Sequence, residues 1–169
     1  MRRLLDALYD GCAALAALAM VLLLLAVLSS VFGRQVGLNL TGLDGYAGYL
    51  LAAAGFLSLA HTLRRGEHIR VTLVLQALPP RWQRPLELWA LAAGVFLSGL
   101  FAWYSCRLAW QSREFNDVST GGDATPLWLP QLSMALGAVV LLVALTDELV
   151  LEWRGLRVKA GSEEALHHE

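Results

Sequence analysis

Charge is scarce in this chain. Asp, Glu, Lys and Arg make up 16% of its 169 residues, against about 25% in an ordinary soluble domain. The 13 basic residues nearly cancel the 14 acidic ones, leaving a formal net charge of -1. Nucleic-acid binding usually needs a strong basic excess, so that function class is set aside. Two cysteines are too few for a disulfide scaffold or a four-cysteine zinc site. Prolines number five, and none falls within the middle of a long apolar run. Disorder is excluded too, because it requires low hydrophobicity, whereas 57% of this chain is apolar.

What is present is leucine and alanine, 38 and 24 of them, gathered into long runs. About 20 mainly apolar residues cross a hydrocarbon core of about 30 Å. Four segments meet that length, at 11–32, 44–63, 86–110 and 131–153. The first has no charge between Asp10 and Arg34, and its apolar run from Cys12 to Leu28 is too long for a signal-peptide core. No A-x-A cleavage site follows, so it reads as a retained helix. The expectation is one all-α integral membrane domain over 1–169, a bundle of four transmembrane helices with short connections.

Basic residues give the orientation. Arg2, Arg3, Arg64, Arg65, Arg70, Arg81, Arg84, Arg154, Arg157 and Lys159 lie on one side of the four spans. Arg34 and Arg113 lie on the other, with Arg107 near the end of the third span. Both termini are therefore expected in the cytoplasm. Tryptophan and tyrosine favour the two membrane–water interfaces, and none of the six tryptophans falls at a span centre.

The inner connection, 64–85, holds a ten-residue apolar stretch from Ile69 to Leu78, closed by Pro79-Pro80 and flanked by arginines and Trp82. It is too short to cross. It reads as a short helix lying in the interface with its arginines at the headgroups, or else as a re-entrant or packed hairpin segment. The outer connection, 112–130, is rich in turn formers, and Pro126 and Pro130 suit the approach to a helix. The first ten residues read as a short amphipathic lead, and the tail at 160–169 as polar and loose.

A carrier that moves its substrate alone normally shows ionisable or helix-breaking residues near mid-membrane. The span centres here, around Leu22–Leu25, Ala52–Phe56, Phe96–Leu100 and Val139–Val143, have none. No catalytic, metal-binding or cofactor-binding set emerges. Haem would need histidines on facing helices, yet His61 and His68 lie at the inner edge and His167 and His168 in the tail. A four-helix anchor or cytochrome-type subunit of a redox complex is thus the weaker alternative. Cys12 and Cys106 are expected near opposite leaflets, too far apart for a disulfide. The third span carries a small residue at every fourth position, Ala90, Gly94, Ser98, Ala102 and Cys106, and the second has Gly48, Ala52 and Gly55. Such rows let another helix approach closely, whether from this chain or from a partner.

The stretch GLDGYAGYLLAAAGFLSLAHTLRRGEHIRV, from Gly42 to Val71, resembles the small permease subunit of tripartite ATP-independent periplasmic (TRAP) transporters, the DctQ-like family. Gly66, Glu67, His68, Ile69, Arg70 and Val71 are similar to the family's G-x-H-I-R-V-type sequence, and Leu78-Pro79 to the end of its inner segment. Pro126, Trp128 and Pro130 are similar to its P-x-W-x-x-x-P-like approach to the fourth helix, though tighter by one or two residues. The resemblance implies a sodium-driven importer of organic anions, usually carboxylates, in the bacterial inner membrane. It implies as partners a large permease subunit and a periplasmic substrate-binding protein, with membrane lipid around them. This chain would brace the large subunit and help dock the binding protein. The transported substrate is not named by this sequence.

On that reading Arg70 fixes the inner segment at the interface or against the large subunit. Arg70→Glu should lower the amount of assembled complex recovered from membranes; wild-type assembly and uptake would count against a structural role.

Overall fold

A computed structural model of the protein describes residues 2–38, 42–64, 79–120 and 124–155. Four helices account for nearly all of them: α1 (Arg2–Gln35), α2 (Leu43–Arg64), α3 (Pro80–Glu114) and α4 (Trp128–Trp153). Each is long and apolar enough to cross a membrane. Among the described residues there is no strand, only an isolated antiparallel bridge between Val118 and Pro126. The protein is all-α, as expected.

The helices outrun the expected spans. The amphipathic lead is simply the first part of α1, and α3 begins at Pro80 and continues to Glu114. Apolar length marks only the thickness of the hydrocarbon, whereas good helix formers such as Arg, Gln, Leu and Glu carry the helix past it. At 1.5 Å per residue α1 and α3 are each about 50 Å long, well beyond a core of about 30 Å.

Prolines fall where they do least damage. Pro79 precedes α3 in an extended conformation (φ −56°, ψ 143°) and Pro80 takes the first helical position, whose N–H would have no partner anyway. Pro130 lies in the first turn of α4 rather than before it, for the same reason. Pro85, expected to close the inner segment, is inside α3, where it removes one N–H from the ladder. At the other ends, Gly37 (φ 77°) and Asn116 (φ 53°) adopt the left-handed conformation that stops α1 and α3. In each case the next residue's N–H reaches back five positions, Leu38 to Gly33 and Asp117 to Ser112.

The helices stand in the order α1, α2, α4, α3. Helix α1 packs on α2, α2 on α4, and α4 on α3. The expected bundle of four helices is thus an open row of two hairpins. One cluster ties three helices together: Tyr9, Cys12 and Ala16 of α1, Leu57, Ala60 and Leu63 of α2, and Val140 and Ala144 of α4. Most buried residues are small, including Ala19, Ala54, Ala102, Ala109, Ala135 and Ala138, and among the described residues no large side chain is fully buried. The long side chains point outward, from Leu15 and Leu24 on α1 to Phe96 and Trp103 on α3. That inversion suits lipid, where helices associate by close backbone packing and not by hiding apolar surface.

The closest approach is at Gly137. A Cβ there would lie 2.5 Å from the Phe56 carbonyl oxygen and 2.6 Å from its carbon. Only glycine fits, and the contact sets the distance between the hairpins. Above it, Phe56 stacks on Phe101 of α3 with ring centroids 5.7 Å apart. Gly137→Ala should destabilise the purified chain by about 1–3 kcal/mol, the scale of overpacking, while Gly48→Ala, whose Cβ meets nothing within 4 Å, should be neutral or slightly stabilising. Thermal unfolding in detergent compares the two.

Candidate interaction surfaces

The spans hold few polar side chains, and several of their hydroxyls bond within their own helix. Ser58 Oγ donates to the Gly55 carbonyl at 2.9 Å, Ser98 Oγ to Val95 at 3.1 Å, Ser133 Oγ to Pro130 at 2.7 Å and Thr146 Oγ1 to Leu142 at 2.7 Å. Thr62 Oγ1 lies between the Ser58 and Leu59 carbonyls. A hydroxyl with its one proton given to the preceding turn has no donor left for a substrate. Among the described residues no three His, Cys, Asp or Glu side chains group as metal ligands. Cys12 is a buried free thiol on α1 and Cys106 an exposed one on α3.

Between α3 and α4 the described residues on either side of 121–123 form a clasp. Ser119 N–H donates to the Thr125 carbonyl and Leu127 N–H to Asp117, framing the Val118–Pro126 bridge. Thr125 Oγ1 then donates to the Tyr46 hydroxyl at 3.0 Å, joining the clasp to the start of α2. The Arg113 guanidinium lies 5.5 Å from the ring centroid of Trp128, pinning the end of α3 to the start of α4. Pro126 and Trp128, singled out in the sequence, are therefore brought together with two residues it did not flag, Tyr46 and Arg113. Beside them Ser30 Oγ donates to Asp44, linking α1 to α2.

At the opposite end His61 Nδ1 is 3.8 Å from Asp10 Oδ1, again linking α2 to α1. Arg84 donates to the Trp153 carbonyl at 3.3 Å, linking α3 to α4. Of the inner motif only Pro79 is described; Gly66, Glu67, His68, Ile69, Arg70 and Val71 lie outside the described residues, as does the expected interfacial segment.

The small-residue row of α3 has its centre against α4. Ser98 and Ala102 are buried, and a Cβ at Gly94 would lie 3.7–3.8 Å from the Leu145 methyls, while Ala90 and Cys106 are exposed. Steps of four drift about 40° per step round a helix. The buried face therefore turns from Ala102 to Ser105, Ala109 and Ser112, alternating steps of three and four.

A different surface is left open. Between α1 and α2 runs an apolar groove of about 520 Å³, lined by Ala13, Ala17 and Met20 on one wall and by Leu51, Gly55 and Ser58 on the other. His61 closes its inner end.

The sequence profile of the DctQ component of tripartite ATP-independent periplasmic transporters matches residues 23–155. That stretch runs from the middle of α1 to the turn after α4. No curated protein and no solved structure matches the chain.

Proposed function

The chain belongs to the family of DctQ components of tripartite ATP-independent periplasmic transporters, and on that premise we propose that it is the small membrane subunit that braces a larger permease subunit. The observation that carries the bracing role is the bonding of Ser58, Ser98, Ser133 and Thr146 within their own helices. A charged group at the bilayer centre costs at least about 2.5–3.5 kcal/mol unless polar partners receive it. The four helices offer an anion no such partners at that depth. Substrate, an organic carboxylate moved with sodium, is accordingly carried by the large subunit.

The distribution of basic residues supports a bacterial inner-membrane protein with both helix ends Arg2 and Trp153 toward the cytoplasm. The clasp around Thr125, Tyr46 and Trp128 then faces the periplasm. Its hydrogen-bonded backbone makes it a firm edge against which the substrate-binding protein docks.

Reconstituting the transporter in vesicles with a sodium gradient tests this division of labour. Ser58→Ala, Ser98→Ala, Ser133→Ala and Thr146→Ala should each assemble and take up substrate as the wild type does. One of these variants with normal assembly and no uptake would place chemistry in this subunit and overturn the reading.

A further inference from the structure

Glycine is the poorest helix former after proline, so a glycine inside a helix calls for a cause. At Gly137 the cause is the Phe56 backbone, whereas at Gly94 and Gly99 an added Cβ would make only ordinary contact with leucine side chains of α4. Gly11 of α1 has nothing among the described residues within 4 Å of where a Cβ would be, and neither have Gly48 and Gly55, which share α2. Both are exposed and helical. Nothing among the described residues needs them to be glycine.

They belong to a longer line. Asp44, Gly48, Leu51, Gly55, Ser58 and Thr62 follow each other in alternating steps of four and three. All six are exposed or half-buried, and Leu51 is the one large side chain among them. Alternating steps of four and three repeat every seven residues, the pattern that keeps one seam facing one partner helix along its length. The lipid-facing surfaces of α1 and α3 are built otherwise, from leucine, phenylalanine and tryptophan. The groove against α1 deepens the same side of α2.

We propose that this strip of α2, with the groove beside it, seats one transmembrane helix of the large permease subunit; the inference rests on the bracing role argued above and names its surface. Length selects a helix over a lipid chain. From Gly48 to Thr62 the strip extends about 21 Å at 1.5 Å per residue, whereas an acyl chain reaches only half of a core of about 30 Å. Charge agrees. Asp10 stands at the inner mouth beside His61 with its side chain 73% exposed, and Asp44 heads the outer end of the strip. With the termini inside, the Asp10 carboxylate meets the level at which a partner helix carries its Lys and Arg.

Gly48→Leu and Gly55→Leu test the surface, because the open space at both positions lets the isolated chain fold and insert unchanged. Each should cut co-purification of the large subunit about tenfold or more, while Leu97→Trp on the lipid face of α3 should leave it intact. A photo-crosslinking phenylalanine in place of Leu51 should link to the large subunit, and the same group in place of Leu97 should not. Normal co-purification by both glycine variants, with no link from position 51, overturns the strip but not the bracing role. Loss of a bound phospholipid from Gly55→Leu with the large subunit retained assigns the groove to lipid and overturns it as well. A wild-type chain that fails to co-purify the large subunit overturns both readings.

Discussion

Where α4 crosses α2, the carbonyl of Phe56 occupies the place that a side chain on residue 137 would take. The rest of the architecture depends on that approach. Helices α1 and α2 form one hairpin, α3 and α4 another, and α2 against α4 is the main seam between them. Lipid tails are as apolar as leucine, so no hydrophobic force would draw separated hairpins together again. Close packing has to hold them, and dispersion falls away within the first ångström of a gap. The cluster of Leu57, Ala60, Val140 and Ala144, the Phe56–Phe101 stack and the Tyr46–Thr125 hydrogen bond all span this seam or its flanks. Each needs the distance that Gly137 permits.

The same constraint explains why the interior is made of alanine and serine while the periphery is made of leucine and tryptophan. A helix that must come close cannot carry bulk on its contact face, and bulk on the other face is costless in hydrocarbon. Hydroxyls fit this scheme because they are small and can donate to the turn behind them, as Ser98 and Ser133 do. The polar content of the spans is thus accounted for by packing. Ion pairs and charge-assisted contacts are displaced to the two rims, at His61–Asp10 and at Arg113–Trp128.

Hydropathy alone located all four helices, since crossing a bilayer demands an apolar length that can be read residue by residue. Their ends were not legible in the same way. The continuation of α1 to Arg2 and of α3 to Pro80 and Glu114 depends on helix propensity outside the hydrocarbon, which leaves no apolar mark. Pro126 and Trp128 stood out locally, but their partner Tyr46 is 79 residues from Thr125, and nothing in the intervening sequence records that pairing. The row from Gly94 to Ala102 was visible as small residues. That it meets Leu145 follows only from the spatial order α1, α2, α4, α3, and a sequence of four spans with short links is compatible with several orders. Gly48 and Gly55 were visible in the same sense, and the structure separates them from Gly137 by what stands in front of each.

An open row has two edge helices, and each is held by a buried face with polar contacts near its ends. Helix α3 lies on α4 through a buried stripe that runs from Ser98 to Ser112, and Arg84 and Arg113 anchor its two ends. Helix α1 rests on α2 through Cys12, Ala16 and Ala19 on its buried face, with His61–Asp10 and Ser30–Asp44 at the rims. An exposed ion pair contributes at most about 1 kcal/mol, and an exposed hydroxyl–carboxylate bond is of similar size. Neither rim contact is strong, so α1 is held mainly by the packed face that Tyr9, Cys12, Ala16 and Ala19 present to its neighbours. The groove lies along the α1–α2 seam, bounded by Ala13 and Ala17 on one side and Leu51 and Gly55 on the other. A helix laid into it would touch both walls at once and add packing to α1 from a side that the described residues leave open. The glycines of α2 and the groove beside them are then two aspects of one arrangement, a hairpin whose second face is completed from outside.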